Sequence, residues 1–146
     1  MTPMVGILVG SKSDMPVLEK CTARLEEFGI EHEIEVRSAY RNPEGVSEYT
    51  RTARERGLKV IICAAGMAAH LAGAVAARTT LPVIGIPVAA GTLGGLDSLL
   101  STVQMLSGVP VATVAVNGAA NAAVLAAQIL ALSDPALAEK LEGGKA

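Results

Sequence analysis

The chain has 146 residues, of which 51% are hydrophobic, 18% charged and 2% aromatic, and its 12 Lys and Arg against 14 Asp and Glu give a net charge of -2. One domain with one core fits that length, and the composition excludes a disordered chain, a basic footprint for long nucleic acid and a base-stacking platform. The apolar content exceeds what a monomer with solvent-facing helices requires, so an oligomer that buries several helix faces is expected.

Met4 to Val9 is a short apolar run closed by Gly10, and Val17, Leu18, Cys21, Leu25 and Phe28 then follow at helical spacing up to Gly29. Glu31 to Val36 alternates charged and apolar residues like an edge strand, and Pro43 to Arg56 reads as a charged helix ended by Gly57. Leu58 to Cys63 reads as a buried strand, Ala68 to Ala77 as a small-residue helix, Pro82 to Ile86 as a strand and Leu96 to Met105 as a helix. The last pair is a strand over Val109 to Val116 and a helix over Ala119 to Leu132, whose near-absence of charge predicts cover by a neighbouring subunit.

Five strands alternating with five helices predict an α/β, flavodoxin-like three-layer fold with a five-stranded parallel sheet in the order 2-1-3-4-5. Residues 1–133 are expected to form the single domain, and 134–146 a polar, frayed C-terminal tail. The amino terminus carries no signal-peptide pattern, and each long apolar run is broken before about 18 residues. A cytoplasmic protein with no membrane partner is expected.

Ligands of such sheets sit beyond the carboxyl ends of the strands, where the strand order switches. The loops there are GSKSD, SAYRNP and AAGMAAHLAG. In the first, Ser11, Ser13 and the backbone amides suit a phosphate and Asp14 a ribose hydroxyl; capping by Ser13 or Asp14 is the bland alternative. The second offers the forked Arg41 guanidinium and the Tyr40 phenol, which otherwise serve as a surface ion-pair residue and a packing residue. His70 lies in a Gly- and Ala-rich segment that a ligand can approach closely, a structural histidine being the alternative, and His32, between two glutamates, reads as a solvated surface residue.

Cys63 stands at a strand end without an adjacent base, so packing is favoured over nucleophilic use, and two separated Cys and two separated His give no metal-ligand spacing. The segment Gly91 to Ser98 is a turn leading into a helix, with Asp97 and Ser98 as candidate caps, and closure over a ligand is the equal alternative. Gln104 and Asn121 are polar positions suited to a subunit interface.

The ordered series GSKSD, SAYRNP, AAGMAAHLAG, LPVIGIPV, GGLDSLLSTVQM and GVPVATVAV spans nearly the whole chain and resembles the PurE family of purine biosynthesis. That resemblance implies a flavodoxin-like subunit, usually a homo-octamer, that moves carbon dioxide on aminoimidazole ribonucleotide without metal or organic cofactor. It places the substrate phosphate on Ser11, Ser13, Ser38 and Arg41, the ribose on Asp14, and the base and carbon dioxide against Ala65, Gly66, Met67, His70 and Leu71. His70 and Tyr40 are the implied catalytic pair, and the partners are a phosphorylated nucleotide and carbon dioxide.

The chain departs from the family at four positions. Tyr40 replaces the histidine of the SAHR motif, Met67 the second glycine of GGAAHLPG, Ala72 its proline, and Leu106 the proline after QM. A phenol with a reference pKa of about 10 does not simply replace an imidazole near neutral pH. Met67 looks more like the carboxylase form of the family and like a distant nicotinate-nucleotide carboxylase. The implied function is therefore an N5-carboxyaminoimidazole ribonucleotide mutase-like carboxyl transfer. The alternatives are a divergent decarboxylase or carboxylase of another heteroaromatic ring, and a silent nucleotide-binding paralogue.

Overall fold

The computed structural model describes residues 2–145. Five parallel strands, β1 (Val5–Val9), β2 (His32–Val36), β3 (Val60–Gly66), β4 (Val83–Val88) and β5 (Ala112–Thr113), form one sheet in the order β2-β1-β3-β4-β5. Six helices surround it: α1 (Glu19–Glu27), α2 (Pro43–Ala53), α3 (Leu71–Ala76), α4 (Leu96–Val103), α5 (Ala119–Ala131) and α6 (Pro135–Lys145).

The strands that read as continuous apolar runs are buried on both faces, and their alternation sorts the residues into two cores. Val5, Ile7 and Val9, with Val60, Ile62 and Ala64, point to the layer containing α1, α5 and α6. Leu8, Ile61 and Cys63 point to the opposite layer, with α2 and α3. Gly6 and Gly85 are required on that second face by close approach: a Cβ at Gly6 would collide with the Tyr49 hydroxyl, and one at Gly85 would lie 2.5 Å from Thr102 Cγ2.

Four sequence expectations change. A 3-10 helix at Lys12–Leu18, containing Pro16, precedes α1, so the expected first helix begins in two pieces. The fifth strand shrinks to Ala112–Thr113, because the preceding Pro110 has no N–H for the ladder and only β4 flanks this edge. The tail expected to fray is instead α6, which buries Leu137 to 5% exposure and packs on α5. It thereby covers part of the uncharged α5 surface within the chain, while Leu132 stays 88% exposed. Finally, His32 is half-buried, its Nδ1 3.0 Å from the Ile30 carbonyl.

Candidate active site

The parallel register sets Val36, Val9 and Ala64 in one row, so the loops after β2, β1 and β3 leave the sheet at the same level. Their meeting place is the switch in strand order, and it forms a cleft of about 510 Å³. All eleven residues proposed from sequence line it: Ser11, Ser13, Asp14, Ser38, Tyr40, Arg41, Ala65, Gly66, Met67, His70 and Leu71. Gly10, Ala39, Ala68 and Ala90 complete the wall.

In the first loop the capping residue is Ser11, not Ser13 or Asp14. Its Oγ accepts from the Ser13 amide at 3.3 Å and lies 2.8 Å from Ser13 Oγ, so the two hydroxyls are coupled. Asp14 is buried, and desolvation raises its carboxyl above the ordinary value of 3.8.

The second loop is built from its own polar groups. The Ser38 hydroxyl accepts from the Arg41 amide at 3.1 Å, the Asn42 amide donates to the Ser38 carbonyl at 2.9 Å, and Asn42 Oδ1 caps α2 by accepting from the Gly45 amide at 3.0 Å. Pro43 then starts the helix, where a missing N–H costs nothing. Arg41 is exposed and pairs with no carboxylate among the described residues, so its fork faces solvent. Tyr40 crosses to the third loop, donating to the Ala68 carbonyl at 2.5 Å, and its ring centroid lies 5.6 Å from that of His70.

Met67 adopts φ 56, a left-handed conformation that disfavours any residue with a Cβ. The strained turn is braced by Ser101 of α4, whose Oγ accepts from the Ala69 amide at 2.9 Å and donates to the Asp97 carbonyl at 2.8 Å. Sequence reasoning missed Ser101 as a support, because its partner is thirty-two positions away and a Ser within a helix that also holds Ser98 and Thr102 carries no signal of that contact. His70 follows the turn as the exposed residue at the start of α3.

Other candidates fall away from the cleft. Cys63 faces the second core at 1% exposure, where burial pushes its thiol up, and Cys21 is likewise pushed up to about 12. Ser98 is buried with its hydroxyl on the Val88 carbonyl at 2.8 Å, Asp97 accepts from the Ser98 amide, and Gly95 stands at the cap position of α4. Among the described residues no cluster of His, Cys, Asp and Glu is arranged to hold a metal, and no helix is long and apolar enough to cross a membrane.

The chain is 56% identical over 140 residues to the N5-carboxyaminoimidazole ribonucleotide mutase of Thermotoga maritima, covering 96% of this chain and 82% of that protein. The mutase of Bacillus subtilis is 54% identical over 144 residues, covering 97% and 89%. Among solved structures, a Treponema denticola PurE2 variant superimposes with TM-score 0.89 at 33% identity, covering 99% of this chain and 90% of that one. Treponema denticola PurE gives TM-score 0.87 at 34% identity, covering 98% and 89%. The family model for AIR carboxylase matches residues 4–146, and the chain belongs to the AIR carboxylase family.

Proposed function

We propose that the protein is an N5-carboxyaminoimidazole ribonucleotide mutase, shifting a carboxyl group from the exocyclic nitrogen to ring carbon 4 of a phosphoribosylated aminoimidazole. The observation that carries this reading is one cleft in which the hydroxyls of Ser11, Ser13 and Ser38 and the unpaired Arg41 fork accompany the His70 imidazole. Relatives 54% and 56% identical bear the name of that activity.

On this reading Arg41, the three serines and the amides at the start of the 3-10 helix hold the dianionic phosphate. Asp14 accepts from the ribose. Ala65, Gly66, Met67 and Leu71 form the small apolar wall that retains carbon dioxide between its release and recapture.

The reaction balances internally. The N–carboxyl bond breaks with a proton gained at the nitrogen, carbon 4 attacks the retained carbon dioxide, and carbon 4 loses one proton. A single shuttle therefore suffices. His70 fills that role, since imidazole is the side chain suited to exchange protons near neutrality. Tyr40, whose own proton is directed to the Ala68 carbonyl, holds the turn that carries His70 and lies beside its ring. None of these steps calls on a cofactor.

The working assembly on this reading is a cytoplasmic homo-octamer. Supporting it are Leu96, Leu100 and Val103, at helical spacing on α4, and Leu93 and Leu106 in the segments flanking it, each 42% or more exposed. Every residue assigned to the cleft lies in the proposed domain 1–133, with 134–146 away from it.

The test is product formation from N5-carboxyaminoimidazole ribonucleotide, and separately from aminoimidazole ribonucleotide with bicarbonate, followed by absorbance and NMR beside Tyr40→His. The 4-carboxylated product from the first substrate is expected with the native chain. Activity confined to Tyr40→His, or product from neither, would overturn the assignment in favour of a divergent paralogue.

A further inference from the structure

Arg37 is the residue immediately before the Ser38–Asn42 loop, and its amide still donates to the Val9 carbonyl at 2.9 Å, so its backbone belongs to the sheet. Its guanidinium then bridges the loop. Nε and Nη2 donate to Glu35 Oε1 at 2.9 and 2.7 Å, and Nη1 donates to the Gly45 carbonyl in the first turn of α2 at 2.5 Å. Its flat face lies 5.4 Å from the Tyr49 ring centroid. Gly45 is also the residue whose amide Asn42 caps, so the exit of the loop is held through both of its peptide groups.

A forked, planar donor can satisfy a carboxylate, a carbonyl and an aromatic face together, which a lysine ammonium cannot. We propose that Arg37 is a positioning residue that fixes the loop presenting Tyr40 and Arg41 before substrate arrives. The ordering entropy of the loop is then met in folding and not at binding. This inference rests on the reading above that the loop holds the substrate.

Arg56 supplies a matched control. It pairs with Glu33 at 2.7 Å and lies 4.7 Å from the same Tyr49 ring, and its remaining partner, Thr52, is in α2 and not in the loop.

The experiment compares Arg37→Met, Arg37→Lys, Arg56→Met and Arg41→Ala in the full chain, reading amide hydrogen exchange at residues 38–42, KM and kcat. Arg37→Met is expected to speed loop exchange and to raise KM, each about tenfold, with a smaller change in kcat. Arg37→Lys should fall between it and the native chain, and Arg56→Met should lower Tm while leaving loop exchange and KM unchanged. Loop exchange and KM in Arg37→Met equal to those in Arg56→Met would overturn the proposal. If Arg37→Met does not fold, Arg37→Lys decides, and native exchange in that variant overturns it equally. Faster loop exchange in Arg37→Met beside an unchanged KM in Arg41→Ala would instead uphold the positioning role and remove the phosphate reading.

Discussion

The Tyr40 hydroxyl donates to the Ala68 carbonyl at 2.5 Å while its ring lies 5.6 Å from the His70 imidazole, so one side chain joins the loop after β2 to the turn after β3. The two halves of the cleft are thereby set relative to each other. A phenol used in this way is a tie whose single proton is already placed on a backbone oxygen.

Replacement of Tyr40 by Phe removes the tie and keeps the ring. The expected outcome is a loss of about tenfold in kcat/KM, the scale of one hydrogen bond. His70→Ala should lose about 10²- to 10⁴-fold in kcat, the usual contribution of a positioned acid–base group. Steady-state kinetics on the carboxylated ribonucleotide checks both, and full turnover by His70→Ala would remove the shuttle role.

Met67 occupies a left-handed position at φ 56 where the family motif has glycine. The strain is relieved only by removing the Cβ, so the informative comparison is Met67→Gly against Met67→Ala, in which both variants lose the long side chain. Gly is expected to be the more stable by about 1 kcal/mol, or about 2–4 °C in Tm for a chain of this size. Calorimetry on the two variants measures it, and equal Tm values would mean the turn relaxes once the Met side chain is gone.

Asp14 gives a pH-dependent prediction. Burial raises its folded-state carboxyl above the ordinary value of 3.8, so ionisation is harder in the folded chain than in the unfolded one. The contribution to stability is fully favourable below the unfolded value and is lost as pH rises through the folded one. Asp14→Asn should therefore raise Tm at pH 7 and leave it nearly unchanged at pH 3. The same change should weaken substrate binding by about 1.5–3 kcal/mol, the scale of a hydrogen bond to a charged group. Thermal melts across pH check the first part and titration calorimetry the second; a lower Tm at pH 7 would mean that the carboxylate is stabilised by its surroundings.

The features legible in the sequence were those carried by short-range pattern. The run Val60 to Cys63 is apolar on both faces because both are covered, and Ser38 to Arg41 and Ala65 to His70 follow strands whose ends the parallel register aligns. What escaped depends on distant partners. The leucines of α6 are interleaved with Glu, Lys and Gly, a pattern that predicts fraying, whereas its order comes from burying Leu137 in the core shared with α1 and α5. Ser101 beneath the Met67 turn and Arg37 across the loop mouth are positions whose roles exist only in three dimensions.

The exposed apolar stripe beside the cleft leads to the last prediction. Leu96, Leu100 and Val103 recur at helical spacing on the outer face of α4 and are 54%, 49% and 42% exposed, whereas Ser98 and Thr102 on its inner face are buried. The helix is therefore anchored to the sheet independently of what covers its outside. A charge at the middle of the stripe, Leu100→Glu, should disrupt the assembly while leaving the fold of the subunit intact, since a buried unpaired carboxylate at an interface is strongly unfavourable. Sedimentation velocity should show the native chain as a large closed oligomer and Leu100→Glu as smaller species with unchanged far-ultraviolet circular dichroism. An oligomer of native size in Leu100→Glu would show that subunits meet through a different face.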